Sequence, residues 1–417
     1  MSGKGTIRIL AVLVVLSGMA VLSGAGRPGP KPVYVNRLDD VLSNRMSEIP
    51  ELSPMDAAID SFMQFWSLHG VSLSIMRNDS LLYAKGYGKA GPGEPMTPGT
   101  TLRLASVSKL LTAVGIMRLQ EEGRVFLDTP VFGPFGVLQE YDSCISDDNY
   151  YLMTVEHLLR HQGGFSTRGG DPLFSPHTGT REDLVRRQLA RPLAFQPGTD
   201  QKYSNLGYLL LSMIIEKVTG QPYERYMQES ILTPIGCHDF RIGGNYLKDR
   251  LPGETRYYMQ PDAETCSSFD GKYASVEKCY GGNDIPLLSG AGAWTGSTPE
   301  LARLVAHIDG RGAIEDILSG FTVGQMTNYF DEDTFCLGWV DCRPYGEWTR
   351  TGSFSGTSAL IKVYPDGESW IFVSNTSSWR GSRFTKDVGA LFVNLRSRFS
   401  GNLPRRDLFQ EQPTPQR

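Results

Sequence analysis

The fold prediction rests on the stretch from Ser106 to Met117, which reads SVSKLLTAVGIM. Its apolar residues predict a buried helix over residues 106–122 that opens on Ser106-Val107-Ser108-Lys109. Residues three apart are neighbours on a helix surface, so the Lys109 amine can reach the Ser106 hydroxyl and accept or relay its proton. Burial beside the apolar residues would also lower the pKa of Lys109 and make its neutral amine accessible.

A second match to the Ser-x-x-Lys spacing, Ser275-Val276-Glu277-Lys278, lacks this context. It leads into Tyr280-Gly281-Gly282 and has no apolar helix behind it. The motif needs a helix to hold both side chains together, so residues 275–278 are interpreted as a loop coincidence.

A phenol and a carboxamide stand two residues apart in Tyr203-Ser204-Asn205. The segment follows the turn-forming residues 196–199 and leads into a helix predicted over residues 205–218. In an extended segment, side chains two apart point to the same side. The phenol is suited to proton transfer and the carboxamide to an amide contact.

A third polar element precedes a hairpin predicted from residues 357–364 and 369–374. It is the tetrapeptide Arg350-Thr351-Gly352-Ser353. A cation, a hydroxyl and free backbone N–H groups along a strand edge can hold a carboxylate and an oxyanion.

Other site chemistries find less support. His157 and His161 are four apart, as in the zinc motif H-E-x-x-H, but Leu158 stands in place of the glutamate, so we expect no metal and no cofactor. A G-x-S-x-G nucleophile elbow is not visible. The charged fraction of 21% and the net charge of -4 give no indication of nucleic-acid binding.

The N-terminus indicates export. Lys4 and Arg8 precede an apolar stretch over residues 9–22, so residues 1–25 are predicted to be a secretory signal that delivers the chain to the periplasm or medium. The alternative is that these residues remain as an uncleaved membrane anchor, and membrane association is expected only in that case. The apolar stretch is, however, shorter than the ~20 residues that span a bilayer. The rest divides into a linker over 26–50, one domain over 51–400 and a flexible tail over 401–417.

Six cysteines follow the predicted signal, and an exported chain meets conditions in which disulfides persist. We expect at least two disulfides, with the near neighbours Cys266 and Cys279, and Cys336 and Cys342, as the pairs. The sequence does not choose among the pairings, and six buried thiols are the alternative.

The order of elements predicts an α+β fold. Strands over residues 71–76 and 81–87 lie near one end of the chain, and the C-terminal hairpin lies near the other. We expect one antiparallel sheet assembled from both ends and flanked by helices, with an all-helical subdomain inserted between them.

Taken in order, the three motifs resemble those of the serine β-lactamase and penicillin-binding protein superfamily, most closely its class C and esterase-like branch. There, Ser-x-x-Lys opens a buried helix, Tyr-x-Asn follows, and a Lys-Thr-Gly or His-x-Gly element lies on an inner strand. The resemblance covers about residues 60–399. Further similar segments are residues 154–165 (TVEHLLRHQGGF), 195–208 (FQPGTDQKYSNLGY) and 289–302 (SGAGAWTGSTPELA).

The resemblance implies a role for each motif. Ser106 would be the acylated nucleophile, Lys109 and Tyr203 would share the general-base and general-acid work, and Asn205 would orient the substrate amide. The backbone N–H groups of Ser106 and Ser353 would form the oxyanion hole. Arg350, Thr351 and Gly352 would complete the substrate-binding element.

One departure concerns Arg350, because the superfamily has lysine or histidine there. Arginine keeps the charge but cannot act as a base, so we expect it to bind a substrate carboxylate or to pair with a carboxylate of the protein. His177-Thr178-Gly179 matches the third motif literally but precedes Tyr203 in a loop, and is rejected.

The resemblance implies a serine hydrolase that acts on D-amino-acid peptides, esters or β-lactams. Its partner would be a small-molecule substrate or a peptide derived from peptidoglycan. The alternative is a weakly catalytic or non-catalytic protein that binds peptidoglycan or penicillin, although Ser106, Lys109, Tyr203 and Asn205 are all present.

Overall fold

The computed structural model describes residues 38–166, 168–260, 265–328 and 334–411. The predicted signal lies outside these residues. Among the described residues, no helix is both long and apolar enough to cross a membrane.

A seven-stranded sheet brings the two ends of the chain together. Its strands are β1 Gly70–Arg77, β2 Ser80–Gly91, β3 Glu94–Pro95, β9 Asp341–Cys342, β10 Trp348–Phe354, β11 Thr357–Val363 and β12 Glu368–Ser374. Their spatial order is β3-β2-β1-β12-β11-β10-β9, and all paired neighbours are antiparallel. The central pairing joins Val71 in β1 to Ser374 in β12, so the sheet predicted from both ends is confirmed.

Ten α-helices lie in the described residues. They are α1 Leu38–Val41, α2 Ser53–Phe65, α3 Ser108–Glu121, α4 Val155–Leu159, α5 Arg181–Leu189, α6 Asn205–Thr219, α7 Tyr223–Tyr226, α8 Thr298–Ala306, α9 Gly320–Met326 and α10 Phe384–Phe399. Seven of them, α3 to α9, occur in the chain between the N-terminal and C-terminal strands of the sheet, which agrees with the predicted helical insertion.

Alternating side chains give the sheet two buried faces. Leu360 of β11 packs in a cluster with α2 and α10, whereas its neighbour Ile361 packs in the cluster that contains α3, α6 and α8. Helix α3 is buried almost all round, as its apolar sequence predicts, and it therefore fixes the position of the residues at its start.

The turn between β1 and β2 places a carboxylate in the interior. Asn78 and Asp79 both adopt left-handed backbone conformations, as a two-residue hairpin turn requires. Asp79 is buried beside Asp309, and burial together with this neighbouring carboxylate raises the pKa of Asp309 to about 8.

Two predicted boundaries differ from the structure. Leu38 and Leu42, in the predicted linker, are buried, and Ser47 Oγ donates to Ala84 O of β2. In the predicted tail, Leu408 is also buried, and Asp407 Oδ1 accepts from the backbone N–H of Leu81. Although both segments are mostly polar, their few apolar residues pack them against the domain. Residues 412–417 of the predicted tail lie outside the described residues.

The remaining strands form two small sheets. Strands β4 Leu102–Arg103, β8 Trp294–Gly296 and β5 Arg241–Ile242 form one, in that order. Strands β6 Thr265–Cys266 and β7 Val276–Glu277 form the other. Because β7 lies inside the second Ser-x-x-Lys match, that match has no helix to hold Ser275 beside Lys278.

Candidate active site

Ser106 lies where a short 3-10 turn, Ala105–Val107, joins helix α3. The predicted helix therefore exists, with its first turn tightened. Ala105 has a φ of 48°, a left-handed conformation that is unfavourable for a residue with a side chain. Such backbone strain concentrates at functional sites, where the surrounding structure holds it in place.

Lys109 is completely buried one turn after Ser106, and its Nζ has three hydrogen-bond acceptors. These are Asn205 Oδ1 at 2.6 Å, Ala291 O at 2.7 Å and Ser106 Oγ at 3.4 Å. Burial disfavours the charged amine, and with the nearby Arg350 charge it lowers the pKa of Lys109. Ala291 belongs to residues 289–302, one of the segments that resemble the superfamily. The hydrogen bond from Lys109 to Ala291 O shows that this segment contributes to the site.

Tyr203 approaches Ser106 from the other side. Its hydroxyl donates to Ser106 Oγ at 2.8 Å, and Lys109 Nζ lies 4.8 Å from the centre of its ring. Burial alone would raise the pKa of Tyr203, but the charges of Lys109 and Arg350 outweigh this and lower it. The ring of His161 packs on Tyr203 at 4.4 Å between centroids and keeps the phenol in place.

Asn205 connects Lys109 to a carboxylate that the sequence reasoning missed. Its Oδ1 accepts from Lys109 Nζ, and its Nδ2 donates to Asp171 Oδ2 at 2.8 Å. This pattern sets the orientation of the amide group, because the oxygen faces the amine and the nitrogen faces the carboxylate. The sequence gives only an Asp-Pro turn at Asp171, which does not reveal a partner 34 residues away.

Arg350 has a partner that neither expectation named. Its side chain is buried, and both Nε, at 2.9 Å, and Nη2 donate to the backbone carbonyl of Ser106. Only 1% of the residue is accessible, so a substrate carboxylate has no surface to approach. The guanidinium instead anchors the backbone of Ser106.

Gly352 allows strand β10 to lie against the segment that precedes Ser106. A Cβ built on this residue would lie 2.5 Å from Leu104 O and 3.2 Å from Ala105 Cβ. Thr351 and Ser353 are half-buried on the same strand. After Thr349, β10 pairs only with β11 among the described strands, so its other edge is unpaired.

The histidines have structural contacts. His157 Nδ1 accepts from the backbone N–H of Thr154 in a cap of α4, and His161 Nδ1 accepts from the backbone N–H of Ser204. His177 lies 3.3 Å from Asp284 in a loop outside any strand. Among the described residues there is no group of three or more His, Cys, Asp or Glu that could hold a metal ion.

All six cysteines fall within the described residues and carry free thiols, which differs from the disulfides expected. Cys336 and Cys342 nevertheless interact directly, and this contact lowers the pKa of Cys336. The thiol of Cys279 donates to Tyr257 O instead.

The β-lactamase family model matches residues 55–393. The chain belongs to the β-lactamase family. The matched range contains all of the site described above.

Two relatives of this chain are named as hydrolases. The chain is 29% identical over 325 residues to a putative D-alanyl-D-alanine carboxypeptidase of Escherichia coli O157:H7, which is 71% of this chain and 72% of the relative. It is 31% identical over 199 residues to esterase EstB of Burkholderia gladioli, which is 44% of this chain and 50% of the relative.

A solved structure supports the same fold. The D-amino acid amidase from Ochrobactrum anthropi SV3, complexed with D-phenylalanine, has a TM-score of 0.66 and is 21% identical. The match covers 84% of this chain and 99% of the amidase. At this level of identity it shows the β-lactamase fold alone, which agrees with the α+β prediction.

Proposed function

We propose that this chain is an exported serine hydrolase that forms an acyl-enzyme on Ser106. The observation that carries the proposal is the pair of contacts at the Ser106 hydroxyl. Tyr203 Oη lies 2.8 Å from Ser106 Oγ and Lys109 Nζ lies 3.4 Å from it. The pKa values of Lys109 and Tyr203 are both lowered. Near neutral pH each group is therefore deprotonated, and able to accept a proton, more often than the same group free in water.

The geometry supports Tyr203 as the group that takes the proton directly, since it is the closer of the two. Ser106 Oγ would attack the substrate carbonyl while its proton passes to the Tyr203 phenolate. A protonated Lys109 would stabilise that phenolate, and the backbone N–H groups of Ser106 and Ser353 would hold the oxyanion that forms. Tyr203 would return the proton to the leaving group, and water would then release the acyl group from Ser106.

The proposed substrates are amides or esters, including D-amino-acid peptides, simple esters and β-lactams. The names of the relatives, a putative carboxypeptidase and an esterase, support this range without choosing within it. The site holds Asn205 in one orientation and leaves the edge of β10 unpaired, which suits a substrate amide placed between them.

The test is acyl transfer itself. Wild-type protein should hydrolyse a short-chain nitrophenyl ester, and mass measurement should find an acyl adduct on Ser106. Ser106→Ala should abolish both, and Lys109→Ala should nearly abolish turnover. The matched controls are Ser275→Ala and Lys278→Ala, in the second Ser-x-x-Lys match, which should leave turnover unchanged. Turnover that survives Ser106→Ala would end the assignment.

Export and disulfide formation belong to the same proposal. The predicted signal supports export, and the contact between Cys336 and Cys342 supports one of the two expected pairs. Alkylation and mass measurement of protein collected from the periplasm or medium would test both, because export removes the signal and oxidation protects paired thiols. A full-length chain with six alkylated thiols would contradict both.

A further inference from the structure

An aromatic pair lies near two of the proposed substrate-binding residues, Asn205 and Ser353. Phe354 directly follows Ser353 at the end of strand β10, and its ring centroid lies 5.8 Å from that of Phe174. Phe174 is 43% exposed, although it is a large apolar side chain. An exposed aromatic side chain has apolar surface available for a ligand.

The turn that carries Phe174 is tied to the site. It is the 3-10 turn Pro172–Phe174, capped by Asp171, whose Oδ1 accepts from the backbone N–H of Leu173 at 3.0 Å. The other oxygen of Asp171 accepts from Asn205 Nδ2. Leu173 is buried and anchors the turn in the core. Phe174 therefore has a fixed position relative to Asn205.

The pair lies next to both groups that would hold the acyl part of a substrate. One is Asn205, held by the cap of the Phe174 turn, and the other is Ser353, the residue before Phe354. A carbonyl attacked by Ser106 would direct its acyl substituent along these two residues. Its leaving group would then lie on the other side of the bond that breaks.

We propose that Phe174 and Phe354 form an apolar acyl subsite that selects substrates whose acyl group carries an aromatic or bulky apolar side chain. This rests on the proposed function and narrows its substrate class. Contact of a ring with the two phenylalanines removes apolar surface from water, which favours such substrates over an acetyl group or a D-alanyl methyl group.

The experiment varies only the acyl group. The probes are p-nitrophenyl acetate and p-nitrophenyl phenylacetate, with each enzymatic kcat/KM divided by the rate constant of hydroxide hydrolysis of the same ester. The wild-type protein should favour phenylacetate. Phe174→Ala should lower the phenylacetate-to-acetate ratio by roughly 10-fold, the discrimination that a small apolar contact typically gives. Phe354→Leu, which keeps an apolar residue on the strand, should lower the ratio less.

The control is Phe321→Ala in α9, an aromatic residue that is 76% exposed and lies outside the proposed subsite. It should leave the ratio unchanged. If both esters are hydrolysed through Ser106 but Phe174→Ala keeps the wild-type ratio, the subsite is wrong and the hydrolase proposal stands. If neither ester shows turnover that depends on Ser106, both proposals fail.

Discussion

Replacing Gly352 by alanine tests the packing of strand β10 against the segment that precedes Ser106, the proposed nucleophile. The new Cβ would lie 2.5 Å from Leu104 O, about 0.9 Å short of the 3.4 Å at which ordinary contacts begin. The obstacle is the backbone oxygen of Leu104, so no flexible side chain can move aside. Either β10 or the segment before Ser106 must shift by roughly that amount.

A displacement near 1 Å at a catalytic group costs roughly 10²-fold in rate, because the reacting atoms leave their attack geometry. Overpacking of a tight interior costs about 1–3 kcal/mol of stability. We therefore expect Gly352→Ala to lower kcat for a neutral nitrophenyl ester by roughly 10²-fold while the protein remains folded at 25 °C. Steady-state kinetics and thermal unfolding measure the two effects separately.

The matched control is Gly324→Ala in helix α9. A Cβ there meets no atom within 4 Å, and alanine favours a helix more than glycine does. The control should keep full activity and equal or higher stability. If Gly352→Ala is as active as wild type, β10 does not depend on close contact with Leu104, and the role given to Gly352 is wrong.

Three further predictions follow from the buried charges. Arg350→Met should move the acid limb of the pH–rate profile to higher pH, since the guanidinium is one of the charges that lower the pKa of Tyr203, whereas Arg350→Lys should retain its position. Asp171→Ala should lower kcat roughly 10-fold or more, because it removes the charge-assisted hydrogen bond to Asn205. In an Asn205→Ala background the same substitution should cause little further loss of kcat. Additive losses would show that Asp171 does not act through Asn205. Because the pKa of Asp309 is raised to about 8, the native chain keeps a proton there that the unfolded chain releases, so stability should fall as pH rises through about 8. Urea unfolding at pH 6 and 9 should show this fall, and Asp309→Asn should reduce it.

The sequence predicted those parts of the site that depend on local periodicity. Ser106 and Lys109 are three apart on one apolar segment, and helix geometry alone brings them together. The order of motifs then indicated Tyr203 and Asn205, which the structure places against the same two side chains. The sheet was predictable for the same reason, because alternating apolar residues mark its strands at both ends of the chain.

The parts that escaped prediction depend on contacts between distant segments. Asp171 lies in a loop without periodicity, and only the folded chain places its carboxylate beside Asn205. The residue type at Arg350 indicated a carboxylate partner, but its position on an inner strand places the guanidinium under a backbone carbonyl. The predicted linker and the predicted tail were expected to be loose because their overall composition is polar. A few apolar residues in each segment, such as Leu42 and Leu408, are nevertheless enough to pack it against the domain.

The position of Arg350 also bears on the substrate. A carboxypeptidase needs a cation with accessible N–H groups to bind the C-terminal carboxylate of its peptide. In this site Lys109 is completely buried and already donates to three acceptors, and Arg350 is buried against Ser106 O. Both side chains therefore lie against Ser106 or Tyr203, and neither presents a surface to a substrate carboxylate. For this reason we expect Arg350→Met to lower kcat/KM by the same factor for a neutral ester and for a D-alanyl peptide. A loss confined to the peptide would instead mean that the guanidinium turns toward the substrate when it binds.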